Sequence, residues 1–70
     1  MNVENVAATF TRRELQVLEL ILNEKSSATI GLELGISERT VETYRKSIYT
    51  KAGVKSIVGL VKYAYIQKMM

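Results

Sequence analysis

The 70-residue sequence contains no cysteine, no histidine and no proline. Without cysteine, the chain can build neither a disulfide framework nor a thiolate metal site. Without histidine, it also lacks the commonest general base and metal ligand at neutral pH. We therefore expect a protein that is not an enzyme and that has no metal site and no cofactor.

Long apolar runs are also absent. Apolar residues make up 47% of the chain, yet they recur periodically, never in the run of about 18 residues that a membrane-spanning helix requires. The first residues lack the charged and then apolar pattern of a signal peptide. We expect a cytoplasmic protein without membrane contact, and 70 residues suffice for one domain that is too small for a cofactor barrel or a cleft enzyme.

Charge is unevenly distributed along the chain. Up to Ser37 there are three basic and five acidic residues, whereas from Glu38 onward there are seven basic and two acidic residues, giving a net charge of +3. A basic half favours a polyanionic partner such as nucleic acid, although a solvated basic face is the ordinary alternative.

The apolar spacing predicts an all-α domain of four helices over residues 10–70. Residues 1–9 have no periodicity and are interpreted as a flexible leader or the remnant of a linker. Thr11 and Glu14 form the pattern of a capping box, and Phe10 is positioned to pack on the helix that follows. That first helix has one broad apolar face, composed of Leu15, Val17, Leu18, Ile21 and Leu22.

The segment from Ser27 to Lys46 predicts two short helices around a tight turn. Gly35 stands where a chain leaving a helix favours positive φ, and Ser37 is a good N-cap for the next helix. Gly31 should weaken the second helix by roughly 0.5–1 kcal/mol unless close packing compensates. A helix with one apolar and one polar face after such a turn is the geometry that enters a major groove.

A fourth helix is predicted from Ile57 to Met70, after Gly53 and a cap at Ser56. It is apolar almost all round, more than one core-facing side requires. If Leu60, Ala64 and Ile57 face the core, then a neighbouring stripe can pair two copies of the domain; the stripe consists of Val58, Val61 and Tyr65. The alternative is that this stripe covers the core or another domain.

These motifs resemble the LuxR/GerE-type DNA-binding domain. The most specific ones are the Thr-x-Arg-Glu start at Thr11, the Ile-Ser-x-Arg-Thr-Val turn from Ile36 and the Gly53-Val54 joint. The resemblance covers Phe10 to about Lys68. It implies the output half of a bacterial response regulator or quorum-sensing regulator, which binds paired half-sites of double-stranded DNA as a homodimer, with a regulatory domain N-terminal to it.

The resemblance also implies the residues that touch DNA. Base edges would be read by Glu42, Thr43 and Lys46: lysine donates to guanine, glutamate accepts from cytosine N4, and the threonine methyl touches a thymine methyl. The phosphate backbone would be held by Arg39, Thr40, Arg45 and Lys51.

Two side chains have open alternatives. Glu42 either reads cytosine or only pairs with Lys46 four residues on. Arg13 either touches phosphate or pairs with Glu14 or Glu33.

Two other functions compete with sequence-specific DNA binding. A promoter-reading module like sigma-factor region 4 uses a similar helix pair, although it usually lacks the apolar fourth helix. A helix-turn-helix fold can also serve as a protein interaction module that does not bind DNA, which the acidic Glu42 keeps open.

Overall fold

The computed structural model describes residues 10–69, so the leader predicted for residues 1–9 lies outside the described residues. Four helices follow one another, and the described residues contain no strand. The helices are α1 (Arg12–Leu22), α2 (Ser27–Leu34), α3 (Glu38–Ala52) and α4 (Ile57–Ile66). The predicted all-α class with four helices is confirmed.

Every helix starts at a hydroxyl side chain. The Oγ atoms of Thr11, Ser26, Ser37 and Ser56 each accept the N–H three residues on at 3.1 Å. At Thr11 the capping box is complete, because Glu14 Oε1 in turn accepts the Thr11 N–H at 2.8 Å. Each cap satisfies an otherwise unpaired helix N–H and contributes about 1 kcal/mol, so helix starts are encoded locally.

Every helix is followed within two residues by a residue with left-handed backbone. Gly35 (φ 70°) and Gly53 (φ 71°) do so after α2 and α3, as the sequence predicted. After α1 and α4 the left-handed residue comes one position later, beyond the C-caps Asn23 and Gln67: it is Glu24 (φ 62°) and Lys68 (φ 58°). The predicted extension of the fourth helix to Met70 is therefore wrong: α4 ends at Ile66, and the Met69 N–H turns back to the Ala64 carbonyl at 2.8 Å.

The core lies where α3 meets the other three helices. It is built from Phe10, from one face of α1 and from one or two apolar residues of each later helix, namely Val17, Leu18, Ile21, Ile30, Val41, Ile48 and Leu60. Phe10 packs edge-on against Tyr63, with ring centroids 6.4 Å apart. Ile57, which was expected in the core, is exposed; it is the first residue of α4, and the buried residues of this helix are Leu60 and Ala64.

At Gly31 the backbone of α2 lies close against the turn that precedes α3. A Cβ atom at this position would lie 2.7 Å from the Ile36 carbonyl oxygen and 3.4 Å from the Glu38 backbone nitrogen. Glycine therefore lets the two backbones touch, and this contact is the close packing that compensates for its weak helix propensity.

Candidate nucleic-acid interface

One face of α3 is polar and exposed along the length of the helix. Arg39, Thr43, Lys46 and Thr50 are spaced three or four residues apart and are all exposed, so they form one row on the helix surface. Val41 and Ile48, on the opposite side, are fully buried. The core thus fixes the side of α3 that faces solvent.

The start of α3 is held by Ser37 and Thr40. The Thr40 N–H donates to Ser37 Oγ, and the two hydroxyl oxygens lie 2.9 Å apart. Both residues are exposed. They lie at the N-terminal end of α3, where backbone N–H groups and the positive end of the helix dipole attract anions.

The three residues predicted to read bases lie together. Glu42, Thr43 and Lys46 are exposed and line one shallow depression that also includes Arg39 and Thr50. The Thr43 hydroxyl donates to the Arg39 carbonyl at 3.2 Å, which leaves the methyl group as the unbonded end of that side chain. Base reading by these residues stays a prediction, and their shared surface is what it requires.

Glu42 has partners other than the expected Lys46. Its Oε2 accepts a hydrogen bond from the Ser27 hydroxyl at the start of α2 and lies 4.0 Å from Arg45 Nε. The ion pair within α3 is therefore to the residue three positions on. Among the described residues, Lys46 forms no ion pair, so its ammonium group stands unneutralised on the exposed face.

The four predicted phosphate-binding residues fall into two groups. Arg39 and Thr40 are exposed at the start of α3, whereas Arg45 and Lys51 already have protein partners. The Arg45 guanidinium lies 6.0 Å from the centre of the Tyr49 ring as well as near Glu42. Phosphate contact by these residues stays a prediction.

Lys51 binds Glu14, which is 4% exposed. Lys51 Nζ donates to Glu14 Oε1 at 2.7 Å, Ser47 Oγ donates to Oε2 at 2.6 Å, and the Lys51 ammonium lies 6.0 Å from the Phe10 ring centre. The carboxylate of the α1 capping box thereby also anchors the second half of α3. The sequence suggested Arg13 as a partner of Glu14. In the structure the partner of Glu14 is Lys51.

The environment of Glu14 favours its charged form. Burial alone raises the pKa of this carboxyl, but the hydrogen bonds from Lys51, Ser47 and the Thr11 N–H together outweigh burial and lower the pKa from 4.5 to about 2. The group is therefore ionised throughout the physiological range.

The stripe predicted on α4 is exposed. Val58 is 66%, Val61 37% and Tyr65 76% exposed, and Ile66 beside them is also exposed. Four such side chains on one short helix form an apolar surface without a partner in a single copy of the domain. Pairing of two copies through this stripe stays a prediction.

Two residues of this region were not singled out from the sequence. Thr50 continues the row of Arg39, Thr43 and Lys46, and that spacing was the signal available for it. Ser27 marked only the start of the predicted helix pair; in the structure Ser26 caps α2, and the Ser27 hydroxyl reaches across to Glu42. No spacing rule links residues on two different helices.

The described residues contain neither a cluster of metal ligands nor a helix that could span a membrane. Between residues 10 and 69 no three His, Cys, Asp or Glu side chains come together as metal ligands would. None of the four helices combines the length and the apolar character that crossing a membrane requires.

Comparison with known proteins identifies the family. Residues 8–64 match the family described as bacterial regulatory proteins, luxR family. The chain belongs to this family. Its helix-turn-helix is thus that of a DNA-binding domain of transcription regulation, as the resemblance in the sequence implied.

Among luxR-family relatives, the transcriptional regulatory protein FixJ of Azorhizobium caulinodans is 44% identical over 59 residues, covering 84% of this chain and 28% of FixJ. The transcriptional regulatory protein MctR of Rhizobium johnstonii is 39% identical, over 89% of this chain and 29% of MctR. The oxygen regulatory protein NreC of Staphylococcus aureus is 35% identical, over 99% of this chain and 32% of NreC. The chain thus spans less than a third of these relatives, and no solved structure gives a significant match.

Proposed function

We propose that this domain binds double-stranded DNA sequence-specifically, as the DNA-reading part of a bacterial transcription regulator. The observation that carries the proposal is the polar face of α3, on which Arg39, Thr43 and Lys46 stand opposite the buried Val41 and Ile48. A helix divided in this way, after a tight turn, fits the width of a major groove.

In this proposal, affinity and specificity come from different side chains. Arg39 and Thr40 at the start of α3 hold phosphates and set the register. Lys46 donates to guanine O6 or N7, and the Thr43 methyl touches a thymine methyl. Arg45 and Lys51 add positive charge at the flanks of α3, although each also has a protein partner.

We also propose that two copies meet on DNA through α4. The exposed stripe of Val58, Val61 and Tyr65 supports this proposal, because an apolar surface of this kind is costly to leave in water. One short helix buries little area, so pairing should require a DNA duplex with two half-sites. Two copies related by a twofold axis would set their α3 helices in successive major grooves, about 34 Å apart.

The length of the relatives supports a further part of the proposal. Because the chain covers less than a third of FixJ, MctR and NreC, we propose that it works beside an N-terminal regulatory domain that supplies the signal. The domain itself then contributes binding and not sensing.

Selection of duplexes from a random pool, followed by mobility shifts at two salt concentrations, tests the proposal. We expect an enriched sequence with two half-sites about 10 base pairs apart and an affinity that falls steeply as salt rises. No enrichment, or binding that ignores salt, would contradict DNA binding and favour a protein interaction module.

A further inference from the structure

Glu42 is held on one side only. Both of its contacts, to the Ser27 hydroxyl and to Arg45 Nε, reach the same carboxylate oxygen, Oε2. Over the residues that the structure describes, Oε1 receives no hydrogen bond. The Glu42 side chain is 58% exposed and borders the same depression as Thr43 and Lys46, so an exposed carboxylate beside the base-reading candidates has one oxygen bonded within the protein and the other without a hydrogen bond.

The position of Ser27 gives the Glu42 contact an electrostatic component. Ser27 is the first residue of α2, and the first turn of that helix contains no acidic residue of its own. Unpaired N–H groups make the start of a helix partly positive. The Glu42 carboxylate on α3 therefore supplies, from another helix, the negative charge that the start of α2 lacks.

Arg45 lies between the Glu42 carboxylate and the Tyr49 ring. Its side chain is 25% exposed, lies 4.0 Å from Glu42 and approaches the Tyr49 ring at 6.0 Å. A cation held by an aromatic ring and a carboxylate loses little further freedom when DNA binds. It also reduces the repulsion between the Glu42 carboxylate and nearby phosphates.

We propose that Ser27 and Arg45 are positioning residues that hold Glu42 as an oriented acceptor for the N4 amino group of a cytosine. This inference rests on the proposed function and adds to it the source of one base preference. An isolated glutamate in the major groove is flexible and repelled by phosphate, whereas Glu42 already has a hydrogen bond from Ser27 and a nearby cation in Arg45 before DNA binds. Its Oε1 then accepts from cytosine, as carboxylates do in the major groove.

The test compares full-length variants of this chain on duplexes enriched from a random pool by the wild-type protein. The wild type should prefer cytosine at one position of each half-site by about tenfold over the other bases. Glu42→Gln should remove this preference, and Ser27→Ala should reduce it to about threefold while leaving the other positions unchanged. Ser27→Thr, which keeps the hydroxyl, should restore it.

A matched control is Thr29→Ala. It removes a hydroxyl from the same turn of α2, one that accepts from Ser26 and not from α3. Because Ser26 remains the cap, both alanine variants keep the start of α2, and circular dichroism with thermal unfolding checks this directly.

Each outcome decides between the roles. If Ser27→Ala weakens all duplexes equally, Ser27 is only structural and the inference is wrong. If the wild type enriches a motif that Glu42→Gln leaves unchanged, the inference fails while the proposed function stands. If the wild type enriches no motif, the proposed function itself fails.

Discussion

The substitution Glu14→Gln removes a single charge from the junction of α1 and α3 and keeps nearly the same shape. Glutamine also completes a capping box with Thr11, so the start of α1 is preserved. What is lost is the charge that receives Lys51 Nζ at 2.7 Å and Ser47 Oγ at 2.6 Å. The variant therefore isolates the anchoring of α3 by the carboxylate.

The shift in the Glu14 pKa gives the expected magnitude. Folding lowers this pKa from 4.5 to about 2, and one unit corresponds to about 1.4 kcal/mol, so the ionised group contributes about 3 kcal/mol. Contact of Lys51 with solvent screens part of this, and about 2 kcal/mol is a reasonable lower figure. A domain of this size has a total stability of roughly 4–10 kcal/mol, so the loss should be large.

The pH dependence of stability has a definite sign. Because the folded pKa lies below the unfolded one, the contribution of Glu14 is fully present above 4.5 and disappears as the pH falls toward about 2. Urea unfolding of the wild type and the variant should therefore differ by about 2–3 kcal/mol near neutral pH. The two unfolding curves should converge in acid.

Glu19→Gln is the matched control, since Glu19 is an exposed glutamate on the same helix. It should change the free energy of unfolding by less than about 0.5 kcal/mol. Equal losses of stability in the Glu14 and Glu19 variants, or a deficit of Glu14→Gln that is as large in acid as at neutral pH, would contradict anchoring by the Glu14 charge.

Three further predictions concern the DNA-binding face, the α4 stripe and one helix end. Lys46→Ala should lower the affinity for a selected duplex by about 1–3 kcal/mol and the affinity for a scrambled duplex much less. Equal losses of affinity for the two duplexes would contradict base reading, as would a selective loss in the control Lys62→Ala on α4. Val61→Asp should leave the domain folded but weaken binding to a duplex with two half-sites, as measured by sedimentation. The control Leu32→Asp, at an exposed residue of α2, should leave this binding unchanged. An unchanged sedimentation pattern for Val61→Asp argues against pairing through α4. Glu24→Gly should relieve a left-handed backbone at φ 62° and raise the stability by about 0.5–1 kcal/mol, seen as a higher Tm; a lower Tm would show that this position carries no strain.

The helix starts could be predicted because their signals are local. A hydroxyl three residues before the N–H that it accepts is visible in the sequence at Thr11, Ser37 and Ser56. The ends at Gly35 and Gly53 were predictable for the same reason. The left-handed backbone at Glu24 and Lys68, one position beyond the C-caps of α1 and α4, was not predictable, because neither residue favours positive φ.

Packing explains why α4 ends early. Met69 follows the left-handed Lys68, bonds back to Ala64 and lies against the core beside Leu15 and Leu18. A turn of this kind gains from an apolar contact between the residue beyond it and the preceding structure. This contact brings Met69 to the core near α1, which is distant in the sequence. The apolar periodicity within α4 does not reveal it.

For polar and charged residues, too, features within one helix were predictable and contacts between helices were not. The polar face of α3 was predictable from spacing, since helix neighbours are three or four residues apart. However, Glu42 contacts Ser27 on α2, 15 residues away along the chain, and Lys51 contacts Glu14 on α1, 37 residues away. Such pairs depend on how the helices pack, which single-helix rules do not contain.

The contact at Gly31 couples a buried position on α2 to the orientation of α3. A methyl group there would push on the Ile36 carbonyl, and the next atoms it would meet belong to Ser37 and Glu38, where α3 begins. A small displacement at that point tilts a helix of 15 residues as a lever, most at its far end. Substitutions at residue 31 would therefore retune the angle between α3 and any bound duplex without altering a single side chain on the polar face.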